Sequence, residues 1–85
     1  VSTWWLSFVD PELPRGRRNL GVALVEGENI LAAIPEAHRL GCNPGGEVLG
    51  FLVPEDVDVR IGPQWRNRLL TSSEAETVKN RYAPS

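Results

Sequence analysis

Residues 20–41, LGVALVEGENILAAIPEAHRLG, decide the fold because the hydrophobic period changes inside them. In 20–26 the side chains alternate: Leu20, Val22 and Leu24 share one face and Gly21, Ala23 and Val25 the other, the two-residue period of a strand. From Ile30 onward the step lengthens. Ile30, Ala33, Ile34, Ala37 and Gly41 recur at three- and four-residue intervals, which lines one face of a helix. Pro35 opposes this reading, since inside a helix it removes a hydrogen bond and crowds the preceding turn, at about 3 kcal/mol or more. A start near Leu31 puts Pro35 at the end of the first turn and lowers that cost. Otherwise the strand runs on through Ile34 and Pro35 opens a short helix. Of the two, the helix is favoured.

Outward from this stretch, residues 3–9, TWWLSFV, alternate as a strand, with Trp4, Leu6 and Phe8 on one face and Trp5, Ser7 and Val9 on the other. Residues 10–19, DPELPRGRRN, carry the Pro, Gly and charge of a long loop. Residues 47–53, EVLGFLV, predict a third strand, closed by Pro54. PEDVDVRIGP (54–63) is a short extended segment or a turn. PQWRNRLLTSSEAETVKNRY (63–82) reads as helical in two pieces, with Pro63 suited to a first turn, Ser73 and Glu76 spaced as a capping box, and Trp65 and Leu69 packing inward together. The order β-β-α-β-α-α gives an α+β fold. A right-handed crossover places the third strand beside the first, so the sheet is three-stranded and mainly antiparallel, in the order 2-1-3. The expected buried face combines Trp4, Leu6, Phe8, Val22 and Leu24. Trp5, Ser7, Gly21 and Ala23 then form the opposite face, either covered by the C-terminal helices or open.

Eighty-five residues make one domain, 1–85, which buries roughly 60–65% of the surface of its unfolded chain. The 41% hydrophobic content and three Trp indicate a folded globule. A single Cys forms no internal disulfide, and no run reaches the roughly 18 apolar residues of a membrane span. Met is absent and the chain opens on Val1-Ser2, as after removal of an initiator Met. The expectation is a complete, small, cytoplasmic protein that needs no membrane. The net charge of −2 argues against bulk attraction to nucleic acid or anionic lipid. Eight Arg against one Lys is the bias of a GC-rich coding sequence.

The rare residues crowd into 37–51, AHRLGCNPGGEVLGF, with the only His and the only Cys. A phosphate-cradling loop places its glycines before a helix N-terminus, whereas here they follow a helix and precede a strand. Gly41 reads as a helix stop and Asn43-Pro44-Gly45-Gly46 as a type II turn. His38 and Cys42 lack the further ligands of a zinc site, and as a nucleophile pair they lack an orienting residue. Glu55, Asp56 and Asp58 have no EF-hand spacing and read as a solvated turn. No metal, cofactor or small-molecule substrate is expected.

Two features suit recognition. Trp5, Ser7 and Ala23 would present an aromatic and small neighbours on one sheet face, a surface for a protein partner or a second copy. Arg15, Arg17 and Arg18 on the long loop offer three guanidiniums to phosphates, the alternative of a nucleic-acid contact, although Asp10 and Glu12 dilute them. The segments STWWLSFVD, LGVALVE, AHRLGCNPGGEV and WRNRLL together resemble a family of small proteins from actinobacteria and their phages. The resemblance spans most of the chain and implies that source and an intracellular location. It implies no activity or site residues. The expected function is therefore non-enzymatic: a small accessory or regulatory interaction protein.

Overall fold

The computed structural model describes residues 1–82. Strands β1 (Ser2–Val9) and β2 (Asn19–Gly27) form an antiparallel ladder that sets Trp4 opposite Val25, Leu6 opposite Ala23 and Phe8 opposite Gly21. Residues directly opposite in such a ladder project from the same face. Leu6, Phe8, Ala23 and Val25 therefore share a core with Ala33, Ala37 and Cys42, while Val22 and Leu24 fall on the side of Trp5 and Ser7. This corrects the expected grouping of Val22 and Leu24 with Trp4, Leu6 and Phe8. The alternation within each strand holds, but a one-residue change of register exchanges the two faces of a strand. Gly21 through Val25 are buried throughout and contain no polar residue, so nothing in β2 marks which set faces which helix.

Among the described residues the sheet has four strands, in the order β3-β1-β2-β4, all antiparallel. The expected 2-1-3 arrangement lies within it, with β3 (Glu47–Leu52) on β1. β4 (Leu69–Leu70) is an addition on the outer side of β2, paired with Val22 and Ala23. The helix expected across 63–70 is instead a single 3₁₀ turn at Pro63–Trp65. Asn67 then takes a left-handed conformation (φ 59°) that ends any helix, and its N–H donates to the Leu24 carbonyl (2.9 Å). Leu70, not Leu69, consequently goes into the core. The close crossing depends on Gly21, where a Cβ would stand 2.7 Å from the Leu70 carbonyl oxygen.

Helix α1 (Ile30–Arg39) starts at Asn29, whose Oδ1 accepts from the Ala32 N–H (2.9 Å). Ala33 and Ala37 are its buried line, and both belong to the core over β1 and β2. Pro35 sits inside the helix, deeper than the first turn. It deprives the Leu31 carbonyl of its partner, and both residues are exposed, so water reaches that group. The end is a Schellman motif: Gly41 has φ +75°, its N–H donates to the His38 carbonyl (3.1 Å), and the Cys42 N–H donates to that of Ala37 (3.0 Å). The turn at Asn43–Gly46, with Gly45 at φ +91°, then aims β3 back along β1.

The segment 54–63 is neither extended nor a plain turn. It contains a one-turn helix, α2 (Glu55–Asp58), that delivers Val57 to the second core, with Ile61 following. Arg66 holds this segment down: its guanidinium donates to the carbonyls of Asp58 and Ile61 and to Thr3 Oγ1, and pairs with the Asp58 carboxylate at 2.8 Å. Helix α3 (Ser72–Tyr82) brings Ala75 and Val78 onto the same face. Its capping box is Thr71 with Glu74, two residues before the expected frame. The Glu74 N–H donates to Thr71 Oγ1 (3.1 Å), and the Thr71 N–H donates to the Glu74 carboxylate (3.2 Å). The earlier frame applies because β4 ends at Leu70 and the chain turns at once.

Thr71→Ala removes the side-chain half of this cap and is expected to cost about 1 kcal/mol, lowering Tm by about 4–8 °C in a thermal melt. Arg68 (2.7 Å) and the Thr71 N–H together hold the Glu74 carboxyl down at about 2, from an ordinary 4.5. A carboxyl depressed on folding stabilises fully above its unfolded value and loses that contribution as pH falls towards its folded one. Melts between pH 4.5 and 2 should therefore show a shallower loss of Tm in Glu74→Gln than in the parent; parallel curves would disprove the coupling.

Candidate protein-interaction face

β1 is central and β3 is an edge strand, and the helices sit towards the other side of the sheet. α1 packs on β1 and β2, and α3 on β2 and β4. The consequence shows in β3, where Leu49, Phe51 and Leu52 are 57%, 59% and 56% exposed. Leu49 stands opposite Ser7 and Phe51 opposite Trp5, so these four side chains floor the α3 side of the sheet. Trp5 is half-buried, with part of its ring packed on the core beneath α3.

The floor becomes a trough because α2 and α3 rise beside it. One chamber, of about 360 Å³, lies between Trp5, Phe51, Pro54, Val57, Lys79 and Tyr82. A second, of about 260 Å³, lies beside Ser7 and Leu49 under Ser72, Glu76 and Lys79. Trp5, Phe51 and Lys79 border both. The first is almost wholly apolar, with Lys79 and Tyr82 in its wall. Nothing in it is arranged as a nucleophile, base and orienting group. Its chemistry is that of burying an apolar surface.

Trp5 and Ser7 are thus together on an accessible face, as expected. Ala23 is not. It lies fully buried on the other face, opposite Leu6 and beneath α1, because the register pairs it with the even residues of β1. Leu49, Phe51 and Lys79, which the alternation in β1 alone does not point to, also border this candidate face. The signal for the first two was present, since a 2-1-3 order leaves EVLGFL on an edge with no polar residue after Glu47.

Arg15, Arg17 and Arg18 are exposed at the β1–β2 loop, where Arg18 Nε donates to the Leu13 carbonyl (2.8 Å). Arg60, Arg66 and Arg68 do not extend the patch. Arg66 is tied to Asp58 beside Thr3, at the far end of β1 from this loop; Arg68 binds Glu74; and Arg60 donates to the Tyr82 carbonyl. Three cations remain, sharing their loop with Asp10 and Glu12.

His38 is exposed in the last turn of α1, whereas Cys42 is buried. The Cys42 thiol donates to the Ala37 carbonyl (3.4 Å), and burial pushes its pKa up, which disfavours the nucleophilic thiolate. Glu55 and Asp56 are exposed, and Asp58 is occupied by Arg66. Among the described residues, no three His, Cys, Asp or Glu side chains are grouped to hold a metal ion, and no helix is long and apolar enough to cross a membrane. No family model, curated protein or solved structure matches the chain.

Alkylation of Cys42 at neutral pH should be slow in the folded protein and accelerate on denaturation. Native-state labelling as fast as in denaturant would show an accessible thiolate and reopen nucleophilic chemistry at His38 and Cys42.

Proposed function

We propose that this protein is a non-enzymatic interaction module that binds protein through the trough floored by Trp5, Leu49 and Phe51. The observation that supports this most directly is the pair Leu49 and Phe51, two large apolar side chains each more than half exposed on the Trp5 face of one edge strand. Scattered exposed apolar residues are ordinary, whereas a continuous patch beside a half-buried aromatic is the form of an association surface. A protein partner suits it better than a small polar ligand, since the floor offers area and few hydrogen-bonding side chains. An accessory role inside the cell accords with the buried single thiol. The alternative, nucleic-acid contact by Arg15, Arg17 and Arg18, is not joined by Arg60, Arg66 or Arg68, each of which has its own partner.

Site-specific photocrosslinking tests the reading. A photoreactive residue replacing Phe51 should form protein adducts in cells. The same residue replacing Leu31, which is 78% exposed on α1, serves as the control and should form few. Equal yields at the two positions would remove the case for this face.

A further inference from the structure

The free edge of β3 specifies a partner more closely than the trough does. The Val53 N–H donates to the Thr3 carbonyl (3.0 Å), in line with the register that pairs Trp5 with Phe51 and Ser7 with Leu49. Because hydrogen-bonded pairs alternate along an antiparallel ladder, the odd residues of β3 bond to β1. The N–H and C=O groups of Val48, Gly50 and Leu52 therefore point outward, where no strand of the described chain meets them.

Natural sheets shield such edges with Lys, Pro, bulges or covering segments. β3 has none of these: its only charged residue is Glu47, and its pairing with β1 runs without a register shift. We infer that β3 pairs antiparallel with β3 of a second copy, about a two-fold axis at Gly50, joining the two sheets into one of eight strands. This rests on the reading of the β3 and Trp5 face as an association surface.

The sequence of the strand is complementary to itself in that register. Gly50 stands opposite Gly50 of the second copy, and Val48 opposite Leu52, so the outward backbone groups of both chains meet as hydrogen-bonded pairs. Leu49 stands opposite Phe51 in the intervening non-hydrogen-bonded pairs, where side chains approach most closely. Every cross-strand pair from 48 to 52 is apolar or glycine. Charge selects the direction: antiparallel pairing carries the two Glu47 carboxylates to opposite ends of the seam, about 20 Å apart for six strand steps. Parallel pairing in register would set them side by side. A two-fold axis normal to the sheet keeps both copies of α3 on one side, so the troughs merge into a single channel over two Trp5, two Leu49 and two Phe51 side chains. A seam of this length is at the small end of stable interfaces, and a dissociation constant on the order of micromolar is expected.

Sedimentation velocity of the full chain from about 1 µM to about 500 µM, spanning that constant, should show monomer converting to dimer. Leu49→Lys, at a position already exposed, should keep the native far-UV circular dichroism and weaken dimerisation at least about tenfold, by placing a charge against Phe51 of the second copy. The register has its own test. Leu49→Cys/Phe51→Cys should oxidise to a covalent dimer, because non-hydrogen-bonded pairs bring Cα atoms to about 4.5 Å, whereas Leu31→Cys should not. Monomer throughout the concentration range, dimerisation unaffected by Leu49→Lys, or no crosslink from the Cys pair would each overturn the proposal. A monomer whose position 51 still crosslinks to a different protein would overturn self-pairing and leave the interaction reading standing. A monomer with no preference for position 51 over position 31 would end both.

Discussion

The register of β1 on β2 is the constraint from which the rest of the structure follows. Setting Leu6 against Ala23 and Trp4 against Val25 gives β2 two buried faces, one beneath α1 and one beneath α2 and α3. With small residues at Gly21 and Ala23, the chain can approach β2 closely from either side. α1 comes down on Ala23 through Ala33 and Ala37, and β4 crosses Gly21 at a distance that leaves no room for a side chain. Trp5 and Ser7 follow onto the opposite face, so the same register that builds both cores also determines which aromatic is left near the surface.

Short connections then keep both helices over the strands they follow. Only Glu28 and Asn29 separate β2 from α1, and Thr71 alone separates β4 from α3. Gly27 lets α1 begin against the end of β2, since a Cβ there would stand 2.8 Å from the Ala33 nitrogen. At the other helix the Thr71–Glu74 box and Arg68 fix the first turn directly beside β4. The helical layers are therefore centred on β2. β3 lies two strands away, and its outward side chains remain uncovered for a geometric reason rather than through any property of their own.

Those parts of the fold that rest on local chemistry were legible in the sequence. The change of period at Ile30, the helix stop at Gly41 and the turn at Asn43–Gly46 follow from residues close together in the chain, and the placing of β3 beside β1 follows from the handedness of the crossover. The misreadings share a different character. Whether Val22 or Ala23 faces α1 is settled by pairing with β1, because a strand buried on both sides carries no polar mark. Leu69–Leu70 forms a strand only because β2 offers an open edge and a glycine to receive it. The same holds for the candidate face: the shared side of Trp5 and Ser7 follows from alternation in one strand, whereas Lys79 comes beside them only through the placement of α3.

Rarity in composition proved a poor guide to where the molecule is free to act. His38 and Cys42 drew attention as the only members of their kinds, yet Cys42 completes the helix stop and its thiol is turned to the Ala37 carbonyl. The common residues Leu49 and Phe51 carry the larger unmet free energy, because each holds apolar surface in water at about 25 cal/mol per Å². Trp5 connects that surface to the interior, being part of the trough floor and also packed on the Val22 and Leu24 core. On the proposed reading, a partner in the trough bears on the packing of α2 and α3 and would stabilise the folded state by mass action. In so small a domain, the proposed binding surface and the folded core draw on the same side chains.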